Sequence, residues 1–130
     1  MIHLNIGSNL NSKFGSRIDN ICTAIKLLIE GNVKIIKISS FYETPSYPNR
    51  TLSKFLNIGI LADFKESPNK LFDKVKLIEK KLGRIKTKKN DSRIIDIDII
   101  DFHGFVKNFK KITLPHPKSH LRNFVLYPIF

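Results

Sequence analysis

Residues 93–100 read Arg93, Ile94, Ile95, Asp96, Ile97, Asp98, Ile99, Ile100, and this alternation constrains the chain more than any other feature. In a strand, residues two apart share a face and lie about 6.6–6.8 Å apart along the chain. Ile95, Ile97 and Ile99 therefore point into a core, and Asp96 and Asp98 point together to the other side. Two carboxylates side by side repel, and a strand has no local reason to hold them. A divalent cation resolves the repulsion. Magnesium takes one or two carboxylates together with waters and substrate phosphates, and a pair of ions roughly 3.5–4 Å apart clamps a transferring phosphoryl group. A solvated sheet edge also accommodates two aspartates as ordinary surface residues. Arg93, directly before the pair, favours a polyphosphate ligand.

Around this strand the chain shows alternating β and α patterns. Ile2, Leu4 and Ile6 alternate as a strand that ends at Gly7, Ser8 and Asn9. Ile18, Ile21, Cys22, Ile25, Leu28 and Ile29 then fall at helical spacing, and Gly31 with Asn32 stops that helix. Residues 33–42 are β-rich up to Thr44 and Pro45, residues 46–54 read as an exposed loop, and residues 55–64 form a third strand. Ser67 and Pro68 supply a cap and a first-turn proline for a second helix. Its buried face is Leu71, Phe72, Val75, Ile78 and Leu82, and Gly83 closes it. Residues 84–92 are polar and basic, residues 93–102 form a strand, and residues 105–114 hold a further short one. The order β-α-β-β-α-β predicts an α+β, ferredoxin-like fold, with an antiparallel sheet and helices packed on one face. No repeat, low-complexity tract or linker divides the 130 residues, so one domain is expected over 1–130.

A net charge of +12 raises the question of nucleic acid. The chain contains 20 Ile, 18 Lys and 11 Asn, all encoded by AT-rich codons, and only 5 Arg. Compositional background thus accounts for most of the lysine, and no nucleic-acid partner is expected. The arginines Arg17, Arg50, Arg84, Arg93 and Arg122 carry more information. Apolar runs are only a few residues long, so no membrane span is expected. The first residues lack the basic and apolar regions of a signal peptide, and there is one cysteine, Cys22, which together predict a cytoplasmic protein.

A second polar cluster follows in Leu114, Pro115, His116, Pro117 and then Arg122, Asn123, Phe124. It combines a proline-framed histidine, an arginine and a ring: phosphate oxygens accept from Arg and protonated His, and a ring offers a planar ligand a stacking surface. A histidine between prolines is also common in surface loops. His116 and His120 have a metal-like spacing, but zinc is excluded because Cys/His partners are missing and Cys22 is expected on the apolar helix face. The run Arg84, Lys86, Lys88, Lys89 suits either a phosphate-gripping or a merely solvated loop. No Walker loop and no G-x-G-x-x-G occurs.

Taken in order, these segments resemble the 6-hydroxymethyl-7,8-dihydropterin pyrophosphokinases of folate biosynthesis. The matching pieces are Ile6-Gly7-Ser8-Asn9-Leu10, Ser39-Ser40-Phe41-Tyr42-Glu43-Thr44-Pro45, Phe55-Leu56-Asn57 and Leu82-Gly83-Arg84. The most specific are Arg93-Ile94-Ile95-Asp96-Ile97-Asp98 and Leu114-Pro115-His116-Pro117 through Arg122-Asn123-Phe124-Val125-Leu126. The resemblance implies transfer of diphosphate from ATP to the pterin hydroxymethyl group, giving AMP, by a monomer that uses two magnesium ions. It implies that Asp96 and Asp98 bind the metal and that Arg84 and Arg93, with Lys86, stabilise the transferring group. His116 and Arg122 would grip phosphates, and Lys76, Glu79, Ile99, Lys111 and Thr113 would line the ATP site. The pterin would lie between Phe55 and Phe124, its polar edge read by Asn57 and by the Thr44 and Pro45 backbone.

The chain departs from its relatives in places. The segment between Gly83 and Arg93 is about one residue shorter and lacks their tryptophan. Lys86 replaces an arginine and loses its bidentate fork, Phe55 replaces a tyrosine and Lys76 a glutamine. A catalytically decayed relative that still binds pterin and ATP is the alternative these changes suggest, although Asp96, Asp98, Arg84, Arg93 and His116 are all present. An RNA-binding module of the same fold stacks bases on strand aromatics. Residues 2–6 contain none, and residues 55–60 lack the basic-Gly-aromatic pattern.

Overall fold

The computed structural model describes residues 1–44, 54–83, 94–104, 107–108 and 113–114. Strand β1 (Ile2–Ser8) leads to helix α1 (Arg17–Glu30), then to strands β2 (Lys34–Ile38), β3 (Tyr42–Thr44) and β4 (Phe55–Asp63). Helix α2 (Pro68–Lys81) and strand β5 (Asp96–Phe102) follow, and a short hairpin of β6 (Lys107–Asn108) and β7 (Thr113–Leu114) completes the order. The main sheet runs β2-β4-β1-β5, with β3 also paired to β4, and all its pairings are antiparallel. This is the α+β, ferredoxin-like arrangement expected from the alternation of patterns. Two details differ. The β-rich stretch of residues 33–42 is two strands, both laid along β4, and the segment of residues 105–114 contributes a hairpin whose β7 lies against β5.

The helices start where side chains can satisfy free backbone N–H groups. Ser16 caps α1 in a reciprocal box: its backbone N–H donates to Asp19 Oδ2 (2.9 Å), and its hydroxyl accepts from Asp19 N (3.4 Å). Ser67 caps α2 by accepting from Lys70 N (3.3 Å), Pro68 fills the first turn, and Lys80 and Lys81 sit in the last turn, where cations suit the helix dipole. Gly83 then turns the chain at φ +88°, a left-handed conformation that glycine adopts without strain.

Alternation puts Ile2, Leu4 and Ile6 of β1, Leu56, Ile58 and Ile60 of β4, and Ile97 and Ile99 of β5 on one face of the sheet. There they pack with Ile21, Ala24 and Leu28 of α1 and Leu71, Val75 and Ile78 of α2. The expected face of α2 is buried as read, with Phe72 partly covered. The face of α1 is rotated from the expected one. Ile18, Cys22 and Ile29 are exposed, and Asn20 and Ala24 take the inward positions with Ile21 and Leu28. Hydropathy passes over an asparagine, but hydrogen bonding makes Asn20 the better inward residue, so Cys22 does not lie on the apolar face.

The opposite face of the sheet carries His3, Asn5 and Gly7 along β1. Burial lowers the His3 pKa below its ordinary 6.5, against the pull of Asp101 across the strand pair. The unfolded chain therefore binds a proton at His3 more readily than the folded protein does. Stability from this group is full above about pH 6.5 and is lost as pH falls through the lowered value. Thermal unfolding followed from about pH 7.5 to about pH 5.5 should show wild type losing stability that a His3→Gln variant keeps; equal slopes for the two proteins would refute this.

Candidate active site

Three antiparallel pairings assemble one row of residues on the face opposite the helices. Asp96 on β5 is paired with Gly7 on β1, Gly7 with Asn57 on β4, and Asn57 with Tyr42 on β3. Directly paired residues of an antiparallel ladder share a face. Asp98 is paired with Asn5, and Phe55 with Thr44, one step to either side of that row. The two aspartates and three of the residues expected to hold the pterin, Asn57, Phe55 and Thr44, thus belong to one surface, with neighbouring strands about 4.8 Å apart. Asp96 and Asp98 are half-buried, whereas Ile95, Ile97 and Ile99 are buried behind them.

Gly7 is what allows Asn57 to lie across β1. A Cβ there would stand 2.9 Å from Asn57 Oδ1 and 3.4 Å from the Phe55 ring. Asn57 is 2% exposed, and its Nδ2 donates to Thr44 Oγ1 (2.8 Å) and to the Phe55 carbonyl (3.3 Å). The carbonyl can only accept, so it fixes which end of the amide faces it. Thr44 acts here through its hydroxyl as well as its backbone, by holding Asn57. Phe55 is half-buried at the margin of this surface.

On the other side of the row, no strand among the described residues pairs with β5 to take up the Ile97 N–H. Glu79 supplies the acceptor from α2: Oε2 takes Ile97 N–H at 2.9 Å, and Oε1 takes Lys76 Nζ at 3.1 Å. Lys76 is about half exposed and also stands 5.1 Å above the Phe72 ring. Glu79, itself 2% exposed, is engaged with the strand between Asp96 and Asp98. The Ile99 side chain belongs to the core, so from this residue the backbone is the part left to line a site. Thr113 begins β7, beside β5. Among the described residues no group of three or more His, Cys, Asp or Glu gathers. Pro45, Arg84, Lys86, Arg93, Lys111, His116, Arg122 and Phe124 lie outside the described residues.

Sequence reading passed over three polar residues in this region. Asn5, 4% exposed, stands between Gly59 and Asp98, and its Oδ1 has no hydrogen-bond partner among the described residues. Ser8 and Asn20, both fully buried, meet at the start of β5. The available signal at Ser8 was its place in the alternation of Ile2, Leu4 and Ile6, whereas Asn5 lies on the other face and Asn20 lies off the expected helical stripe.

A family model described as 7,8-dihydro-6-hydroxymethylpterin-pyrophosphokinase matches residues 3–130. The chain belongs to this pyrophosphokinase family. A 2-amino-4-hydroxy-6-hydroxymethyldihydropteridine pyrophosphokinase from Aquifex aeolicus is 36% identical over 128 residues, covering 98% of this chain and 77% of the relative. A Haemophilus influenzae protein of the same name is 27% identical over 129 residues, covering 98% and 78%. The folic acid synthesis protein of Dictyostelium discoideum is 34% identical over 129 residues, which are 99% of this chain and 19% of that protein. The chain spans about a fifth or less of such longer relatives and about three-quarters of the bacterial pyrophosphokinases. No helix among the described residues is long and apolar enough to cross a membrane.

The bond from β5 to Glu79 gives a stability test. Glu79→Ala leaves the buried Ile97 N–H without an acceptor and should cost about 1–3 kcal/mol in denaturant unfolding. Glu79→Gln keeps an acceptor oxygen and should lose less than half as much. Equal losses in the two variants would show that the strand bond contributes nothing.

Proposed function

We propose that the protein transfers the terminal diphosphoryl group of ATP to the hydroxymethyl oxygen of 6-hydroxymethyl-7,8-dihydropterin, releasing AMP, in folate biosynthesis. The observation that carries this reading is the single sheet face shared by Asp96, Asp98, Asn57, Thr44 and Phe55 in a chain of the pyrophosphokinase family. In the reaction the pterin oxygen forms a bond to the β-phosphorus of ATP. The bond from that phosphorus to the α-phosphate bridging oxygen breaks, and AMP leaves with the bond's electron pair. The hydroxyl proton passes to a carboxylate, for which Asp98 is our assignment.

Two half-buried carboxylates on one face, joined by no third acid in a metal-holding group among the described residues, suit magnesium, which keeps coordination positions for water and phosphate. Asp96 and Asp98 are the proposed ligands of two such ions, which when bound supply positive charge to the ATP phosphates. Reactions of this kind need positioning and electrostatic stabilisation more than covalent help from the protein. Phe55 and Phe124 sandwich the pterin, and Asn57 with the Thr44 and Pro45 backbone reads its polar edge. Arg84, Arg93 and Lys86 stabilise the transferring diphosphoryl group. His116 and Arg122 hold phosphates, and Lys76, Glu79, Ile99, Lys111 and Thr113 border the nucleotide. The proposal includes a monomer, one pyrophosphokinase domain over residues 1–130, and a cytoplasmic location, which a single exposed cysteine suits.

Incubation with magnesium-ATP, with and without the pterin, followed by separation of the nucleotides, tests this reading. AMP should form only with the pterin present, without ADP, and Asp96→Ala should lower kcat by about 100-fold or more while the protein stays folded. Formation of ADP, or no AMP despite binding of both ligands, would overturn it.

A further inference from the structure

At the start of β5 the structure holds a buried polar knot that neither the core nor the proposed chemistry calls for. Asn20 of α1 is fully buried, and its Nδ2 donates to Ser8 Oγ (3.2 Å), Leu10 O (2.9 Å) and Ile94 O (3.4 Å). The Ser12 hydroxyl donates to Asn20 Oδ1, and the Ser8 hydroxyl donates to the Ile94 carbonyl. Two side chains from separate elements thus converge on one backbone oxygen, two residues before Asp96. The β1–β5 ladder ends at the Gly7 and Asp96 pair. Beyond that pair no strand bond among the described residues fixes the chain, and Ser8 and Asn20 hold the Ile94 carbonyl instead.

We propose that Ser8 and Asn20 are positioning residues, which set Asp96 and Asp98 by clamping the Ile94 carbonyl at the head of β5. The inference rests on the proposed diphosphoryl transfer. Asp96 lies between two anchors, the clamp on Ile94 before it and Glu79 on the Ile97 N–H after it. Within the sheet the clamp acts at the head of β5, and Asn20 also holds the turn after β1 through Leu10 and Ser12. Asn57 is held separately, by Thr44 and the Phe55 carbonyl, on the far side of β1. A looser Ile94 therefore disturbs the carboxylates and leaves the pterin contacts in place, a distinction that a general loss of stability would not produce.

Ser8→Ala removes one donor with little change in volume, and Asn20→Leu replaces the amide by an apolar side chain of similar size. For each, kcat and pterin KM are measured, together with two affinities without turnover: pterin by fluorescence, and manganese in the presence of α,β-methylene-ATP by electron paramagnetic resonance. The expected result is a kcat lowered about 10- to 100-fold and manganese bound about three- to tenfold more weakly, with pterin affinity within about threefold of wild type. Unchanged kcat and manganese affinity in a folded variant would overturn the proposal. So would a parallel loss of pterin and manganese binding, or failure of both variants to fold, since the knot would then serve the fold alone. Wild-type protein that forms no AMP would overturn the proposed function and this inference together. An active wild type with unaffected variants would overturn this inference alone.

Discussion

Strand β1 is hydrogen-bonded along both edges, to β4 on one side and β5 on the other, and the site depends on that double pairing. Because strand side chains alternate strictly, a register shift of one residue would exchange the two faces of the sheet. A slip of β1 would take Ile2, Leu4 and Ile6 off the helices, and a slip of β5 would turn Asp96 and Asp98 into the core. Burying those aliphatic side chains, each worth roughly 1.5–3 kcal/mol, therefore also determines where the carboxylates stand. The fold and the site are fixed by the same ladder.

Backbone pairing stops short at the sheet's edge, and there buried polar side chains continue its work. Glu79 reaches from α2 to the Ile97 N–H, and Ser8 with Asn20 holds the Ile94 carbonyl. On the other flank Thr44 and the Phe55 carbonyl orient Asn57 above Gly7. A buried amide or carboxylate without partners costs free energy, so each of these groups is tolerated because it is satisfied. What each one satisfies is backbone or side chain next to the row from Asn57 to Asp96. Helices α1 and α2 thereby do two things at once: they cover the core, and they hold the strand ends that carry the proposed chemistry.

The parts of this arrangement legible in the sequence are those governed by period. The alternation at Ile95, Asp96, Ile97, Asp98 and Ile99 gave both the strand and its two faces. Leu71, Val75, Ile78 and Leu82 gave the buried face of α2, and Ser67 with Pro68 its start. Period failed on α1, because Ile18 and Ile29 look apolar yet are exposed, and Asn20 looks polar yet is buried. Only knowledge of Ser8, Leu10 and Ile94 in space explains that exchange, and those contacts span from 10 to 74 positions of sequence. The break between β2 and β3 was hidden for a similar reason: both strands satisfy the same partner, β4, which residues 33–42 do not reveal. Family resemblance drew attention to Glu79 as an expected ATP-site residue, but its bond to Ile97 was not legible, since a helix residue's reach to a strand edge has no local signature.

The central claim is that the nucleotide and the pterin meet on the one sheet face that carries Asp96, Asp98 and Asn57. Backbone amide chemical shifts of the isotope-labelled protein, recorded before and after adding the pterin with magnesium and α,β-methylene-ATP, test it most directly. The account predicts the largest shifts at residues 5–7, 55–57 and 96–98, with the solvent face of α1 around Cys22 and Lys26 unmoved. Shifts centred on that outer face of α1, with residues 55–57 and 96–98 unchanged, would contradict it.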